Sequence, residues 1–94
     1  MKNIIDIFGN TITSIDGETL SGVSFVGMDL RNADFKNQDV SYSDFFKADI
    51  SGADFTGTDL RGTGLDESYL LHFGAKYDSF TLFDEEERTH FGFM

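Results

Sequence analysis

The feature that most restricts how this chain can fold is a five-residue period that holds its phase from about Thr13 onward. Residues 48–52 read Ala-Asp-Ile-Ser-Gly, and residues 53–57 read Ala-Asp-Phe-Thr-Gly in the same register. Neither the 3.6-residue period of a helix nor the two-residue alternation of a strand divides five. A short strand followed by a corner does fit. The position that is always apolar comprises Ile15, Leu20, Phe25, Leu30, Phe35, Val40, Phe45, Ile50, Phe55, Leu60, Leu65 and Leu70.

The other positions of the period predict how each short strand is oriented. Alternate side chains of an extended chain share a face, so the apolar residue and the residue two before it point inward. The residue between them, usually Asp, points outward. The second corner position is mostly Gly or Asn, which tolerate positive φ. Tyr42, Lys47 and Glu67 depart from this pattern, which predicts that not every corner needs that conformation.

The order of aromatic and aliphatic residues predicts the number of faces in one coil. A coil of four faces, twenty residues long, places Phe25 on Phe45 and Phe35 on Phe55, and it stacks aliphatic residues on aliphatic residues. Such like-on-like stacking fills a narrow interior evenly. The same spacing aligns four inward polar residues, which we expect to form a mutually hydrogen-bonded ladder: Glu18, Gln38, Thr58 and Asp78.

The recurring Ala-Asp-Leu/Phe-x-x pattern, from residue 13 to about residue 72, resembles the pentapeptide-repeat family. The resemblance implies an all-β fold, a right-handed quadrilateral β-helix that often dimerises end to end. Some members of the family are understood as DNA mimics that bind type II topoisomerases. This chain is much shorter than those members and has no large loop inserted between repeats.

The whole chain, residues 1–94, is interpreted as one domain with atypical ends. Residues 1–14 form an N-terminal cap, because Gly9-Asn10 between two β-rich runs is a hairpin signal. Residues 15–72 form regular coils, and residues 73–94 form a C-terminal cap or dimer element. A short helix is expected from Asp84 to His90. The apolar residues near it form either a lid or a homodimer contact, with dimerisation assigned to Phe83, Phe91, Phe93 and Met94.

The charge points to binding rather than chemistry. With 17 acidic and 7 basic residues, the net charge of −10 repels nucleic acid and anionic membranes and attracts basic protein surfaces. Seven consecutive repeats carry an outward aspartate. We call these residues the acidic row: Asp29, Asp34, Asp39, Asp44, Asp49, Asp54 and Asp59.

Two interpretations of the acidic row remain open. Each carboxylate can accept hydrogen bonds from corner amides, a structural role. Alternatively, the row imitates a nucleic-acid backbone and inhibits a basic DNA- or RNA-binding enzyme, such as a topoisomerase. A different class of function is a general interaction module whose acidity serves solubility. It would use outward corner residues that we call the aromatic patch: Val26, Tyr42 and Phe46.

Catalysis and metal binding are disfavoured. His72 and His90 are the only histidines, and no nucleophile pattern accompanies them. Stacked aspartate pairs fall short of the six to eight oxygens that Ca²⁺ takes, so no metal or cofactor is expected. The chain shows no signal-peptide pattern and no transmembrane stretch, so we expect a cytoplasmic protein, of bacterial or phage origin.

Overall fold

The computed structural model describes residues 1–84. Its regular elements are the strand β1 (Lys2–Ile5), the strand β2 (Thr11–Ile15) and the helix α1 (Glu67–His72). Between β2 and α1 the chain alternates two-residue turns with short extended pieces that are each bridged at a single residue. The repeat is therefore built from pieces too short to count as strands, whereas its N-terminal end carries a conventional hairpin.

The N-terminal hairpin pairs with the repeat and covers part of it. β1 and β2 are antiparallel, with Ile4 opposite Thr13 and an irregularity between Ile4 and Ile5. The Asp6 carboxylate accepts the backbone N–H groups of Phe8 and Asn10 and so braces the turn. The amide of Asp34 donates to the carbonyl of Ile5 at 2.8 Å, which joins the hairpin to the repeat. The hairpin expected around Gly9-Asn10 is present.

The repeat is stacked in levels that lie twenty residues apart. Parallel bridges join residues at that spacing, and the backbone N–H of Leu30 donates to the carbonyl of Asp49 at 2.8 Å while that of Asp49 donates to Met28 at 2.9 Å. Four pentapeptides thus separate one level from the next. The bridged pairs are Ser24–Asp44, Asp29–Asp49, Asp34–Asp54 and Asp39–Asp59.

The interior contains stacked phenylalanine rings, as the twenty-residue recurrence predicts. The ring centroids of Phe25 and Phe45 are 4.9 Å apart, and those of Phe35 and Phe55 are 5.2 Å apart with an interplanar angle of 5°. Rings from the two stacks meet edge to face, as Phe35 and Phe45 do at 6.1 Å. All four rings are buried. Offset-stacked and edge-to-face pairs are the favourable aromatic geometries, so the narrow core is well packed.

The corners are more uniform than the sequence suggests. Tyr42 and Lys47 both have φ of 61°, close to the 59° of Asn32 and Asn37, so the prediction that Tyr42 and Lys47 avoid positive φ is wrong. Backbone hydrogen bonds between levels hold both corners, from the amide of Tyr42 to the carbonyl of Arg61 and from the amide of Gly27 to the carbonyl of Phe46, so the corner conformation persists even where the residue is poorly suited to it. Glu67 is different, since it begins α1.

The helix α1 replaces the repeat within the range where we expected regular coils to continue to residue 72. The Asp66 side chain caps the helix by accepting the backbone N–H of Tyr69 at 2.8 Å, and Leu70 packs into the core. Stacking resumes beyond the helix, where Asp54 pairs with Lys76 and Asp59 with Leu82. The spacing rises from 20 to 22 residues across the helix, which takes up extra chain, and one further residue between Lys76 and Leu82 brings it to 23. The helix expected from Asp84 to His90 lies outside the described residues.

The expected ladder of inward polar side chains does not form. The hydroxyl of Thr58 donates instead to the backbone carbonyl of Phe35 at 2.7 Å, and that of Thr81 donates to the carbonyl of Phe55 at 2.8 Å. Within residues 1–84 no hydrogen bond joins any two of Glu18, Gln38, Thr58 and Asp78. Short hydroxyl side chains reach the carbonyls of the neighbouring level more easily than they reach one another, so the backbone satisfies them.

Candidate functional site

Every carboxylate of the acidic row takes part in a turn. In each case Oδ1 accepts the backbone N–H of the residue two positions further along, at nitrogen–oxygen distances of 3.0 to 3.2 Å. A carboxylate in this position satisfies an amide that the corner leaves without a ladder partner. The structural role considered for the aspartates is therefore observed at all seven positions.

Six of the seven carboxylates also receive a hydrogen bond from the side chain two residues later. Arg31 donates to both oxygens of Asp29 at 2.8 Å, and Arg61 does the same to Asp59 at 3.0 and 2.7 Å. Lys36 donates to Asp34 at 3.3 Å. Hydroxyl groups donate at 2.6 Å in the remaining three pairs, which are Ser41 to Asp39, Ser51 to Asp49 and Thr56 to Asp54.

These hydrogen bonds lower the pKa values of several carboxylates. The side-chain and backbone bonds from Arg31 lower the pKa of Asp29 to about 2, because they stabilise its charged form. Bonds from Ser51 hold the pKa of Asp49 below its ordinary value, and bonds from Arg61 do the same for Asp59. These groups of the acidic row are therefore fully ionised at neutral pH.

Basic side chains lie beside the stacked aspartates and offset part of their charge. The Nζ atom of Lys36 is 3.3 Å from Asp34 Oδ2 and 3.8 Å from Asp54 Oδ2, so it bridges two levels. The hydrogen bond and charge of Asp29, and to a smaller extent the charge of Asp49, raise the pKa of Arg31, so that guanidinium lies in the field of both carboxylates. At least one cation thus accompanies each of the three stacked aspartate pairs, and the ion pairs of Arg31, Lys36 and Arg61 offset three of the six negative charges in these pairs.

The members of the acidic row differ in exposure. Asp54 is only 8% exposed, so it cannot offer its carboxylate to a partner. Asp49 and Asp59 are partly buried, whereas Asp29, Asp39 and Asp44 are exposed. Of these three, Asp29 already forms a bidentate ion pair with Arg31. The row therefore does not present seven equivalent negative groups to the solvent.

The side chains of the aromatic patch are exposed to solvent. Tyr42 is 73% exposed, Phe46 64% and Val26 47%. Val26 and Phe46 lie on neighbouring levels of one corner, where the amide of Gly27 donates to the carbonyl of Phe46 at 2.9 Å. Tyr42 lies at the preceding corner, with its ring over Gly62. The ammonium of Lys47 is 5.4 Å from the centroid of the Phe46 ring.

The residues assigned to dimerisation are only partly covered by the structure. Phe83 is partly buried and meets Tyr77 edge to face at 5.8 Å. Phe91, Phe93 and Met94 lie outside the described residues. Phe80 is 75% exposed and Leu82 45% exposed, and neither was assigned a role from the sequence. Their outward orientation follows from the shift in spacing caused by α1, which the five-residue pattern cannot reveal.

Two further observations concern other classes of site. Within residues 1–84, no group of three or more His, Cys, Asp or Glu side chains is arranged to hold a metal ion. In the same range, the helices are too short and too polar to cross a membrane.

Comparison with known proteins bears on the repeat alone. Residues 20–62 match the family model described as pentapeptide repeats, in eight copies. No curated protein and no solved structure matches the chain at a significant level. The matched range covers all seven aspartates of the acidic row and the whole aromatic patch.

Proposed function

Because residues 20–62 belong to the pentapeptide-repeat family, whose members fit a non-catalytic role in protein interaction, we propose that this chain binds another protein through its aromatic patch. The partner has a basic surface, and the net charge of −10 attracts it. Binding at the patch is the function that the geometry of the side chains supports best.

The observation that carries this proposal is the exposure of Tyr42 and Phe46 on a rigid frame. Two of the three residues between them, Ser43 and Phe45, are buried in the interior of the repeat. Both aromatic side chains are therefore fixed at their Cα atoms by the stacking of the levels. Rigid exposed aromatic residues are the commonest anchors of protein interfaces, because little conformational entropy is lost when they are covered.

The proposal is tested by capturing partners from bacterial lysate on the immobilised chain at low and at high salt. We expect a protein that wild type retains and Phe46→Ala loses at both salt concentrations. The matched control is Asp49→Asn, which removes one charge but leaves the patch intact, and which should weaken capture only slightly. A partner retained equally by wild type and Phe46→Ala contradicts the proposal, as does the absence of any captured protein at low salt.

Mimicry of nucleic acid is the second candidate, and the regular stacking of the acidic row favours it. Paired strands place residues about 4.8 Å apart, so Asp29 and Asp49 form a repeating pair of charges. The cations beside the pairs count against it, since they halve the charge that a DNA-binding enzyme would meet. Competition decides between the candidates. Duplex DNA should displace the captured partner if the row mimics DNA, and should leave it bound if the patch alone is used.

We also propose the finer architecture that the family resemblance implies. The twenty-residue pairing and the four buried phenylalanines support a right-handed quadrilateral β-helix, and end-to-end association through the C-terminal residues would pair two such rods. Light scattering at micromolar concentration tests the association. A mass of twice 10.5 kDa is expected, and a mass of 10.5 kDa would exclude the dimer.

A further inference from the structure

One aspartate of the acidic row lacks the side-chain donor that the other six have. The residue two positions after Asp44 is Phe46, whose side chain has no hydrogen to donate. Asp44 Oδ1 accepts the backbone N–H of Phe46 at 3.0 Å. Among the residues that the structure describes, no donor reaches Asp44 Oδ2 and no cation lies within ion-pair distance of it. Asp44 is exposed, so its free oxygen faces the solvent.

The neighbours of Asp44 make its position unlike the rest of the row. Asp44 projects outward from the short extended piece 43–45, whose flanking residues Ser43 and Phe45 are buried, and Tyr42 and Phe46 are exposed turn residues at the two corners on either side of that piece. The carboxylate therefore lies on a face whose two corners each carry an exposed aromatic residue. The bridged residue on the adjacent level is Ser24, which carries no charge.

The structure also shows how a cation occupies such a carboxylate. At Asp29, the guanidinium of Arg31 donates from both Nε and Nη2 at 2.8 Å, and at Asp59 the guanidinium of Arg61 does the same. The ring of Phe46 already attracts the ammonium of Lys47 at 5.4 Å. A planar fork of donors with an apolar stem fits a carboxylate flanked by aromatic rings better than a point charge does.

We propose that Tyr42, Asp44 and Phe46 form a subsite for an arginine side chain of the partner protein. This inference rests on the proposed function and names the group that the patch recognises. The guanidinium donates two hydrogen bonds to Asp44, replacing the donor that Phe46 cannot supply, and its aliphatic stem packs against the rings.

The subsite is tested by nuclear magnetic resonance with N-acetyl-arginine-N-methylamide as the probe. We expect saturable shifts of the backbone amides of Asp44 and Phe46, with a millimolar dissociation constant. The lysine analogue should bind several-fold more weakly and the norleucine analogue should not bind. Asp44→Asn should weaken the arginine probe about tenfold, since it removes a charge-assisted bidentate pair.

Two variants separate the subsite from general charge. Asp49→Asn removes the same charge from a carboxylate that Ser51 already occupies, and it should leave the affinity for the probe unchanged. Phe46→Arg places a guanidinium where Arg31 stands relative to Asp29, and it should abolish binding although Asp44 remains. Equal weakening by Asp44→Asn and Asp49→Asn would overturn the inference, as would saturable shifts confined to other residues.

The two proposals fail in different ways. If lysate capture depends on Phe46 but the arginine probe does not shift the amide of Asp44, the subsite is wrong and the interaction function stands. If the probe binds at Asp44 but no protein is captured through the patch, the proposed function is wrong instead.

Discussion

Replacing Gly57 by alanine tests whether contacts between levels hold the stacked repeats in register. Gly57 has φ of +67°, and an added Cβ would overlap the Oδ1 atom of Asn37, the residue twenty positions earlier. Gly27 has nearly the same backbone, with φ of +69°, but no atom lies within 4 Å of the position of its Cβ. The two glycines therefore share the backbone strain and differ in the steric contact, which makes Gly27→Ala a matched control.

The expected changes in the free energy of unfolding follow from the backbone strain that the two glycines share and from the steric contact that only Gly57 has. Alanine in the left-handed region costs about 1 to 2 kcal/mol, and the lower entropy of the unfolded chain returns roughly 0.4 to 1 kcal/mol. Gly27→Ala should thus lower the free energy of unfolding by about 1 kcal/mol. Gly57→Ala also displaces the end of the exposed Asn37 side chain from its rotamer, at about 0.5 to 1.5 kcal/mol, so its total cost should be about 1.5 to 2.5 kcal/mol.

Urea denaturation followed by far-ultraviolet circular dichroism measures both changes under the same conditions. The double variant Asn37→Gly with Gly57→Ala removes the overlapping side chain, so Gly57→Ala should cost only about 1 kcal/mol in that background. The reasoning is refuted if the losses in the free energy of unfolding caused by Gly57→Ala and by Gly27→Ala differ by less than about 0.5 kcal/mol, because the additivity that the double variant relies on holds only to about that level. A cost at Gly57 that persists without Asn37 would also refute it.

Three further predictions concern the corners, the carboxylates and the core. Lys47→Gly should stabilise the chain relative to Lys47→Ala by roughly 1 kcal/mol in urea denaturation, because only alanine keeps a Cβ at the φ of 61°, and equal stability would contradict this. Hydrogen bonds from Arg31 and Arg61 keep the folded-state pKa values of Asp29 and Asp59 below the ordinary 3.8. The ionised carboxylates therefore stabilise the folded state above pH 4, and this contribution to the free energy of unfolding is lost as the pH falls toward 2. Thermal midpoints should fall over this range and fall less in Asp59→Asn, whereas a midpoint that rises on acidification would show that relief of the net negative charge dominates. Phe55→Ala should cost about 3 to 5 kcal/mol, since the ring is buried and stacked on Phe35, whereas the exposed Phe46→Ala should stay within about 0.5 kcal/mol of wild type in the same assay.

The candidate site was predictable from the sequence in its location but not in its chemistry. The outward aspartates and the exposure of Tyr42 and Phe46 follow from the alternation of inward and outward side chains. Whether a carboxylate accepts a side-chain hydrogen bond depends on the residue two positions later. Only the structure shows that Arg31 and Lys36 fold back and donate to Asp29 and Asp34. Long basic side chains have many rotamers, so their partners cannot be inferred from spacing. The free oxygen of Asp44 was missed for that reason, although the absence of a donor at Phe46 was visible in the sequence.

The pentapeptide repeat, the twenty-residue spacing of the levels and the stacking of the phenylalanines all follow from the amino-acid sequence alone. These features repeat every few residues, so one strong local pattern is reinforced at each copy. The tertiary structure alone decided where the pattern yields, as at α1, where the Asp66 cap and the burial of Leu70 compete with another turn of coil. It also decided that Tyr42 and Lys47 adopt positive φ, because hydrogen bonds between levels outweigh the preference of a single residue.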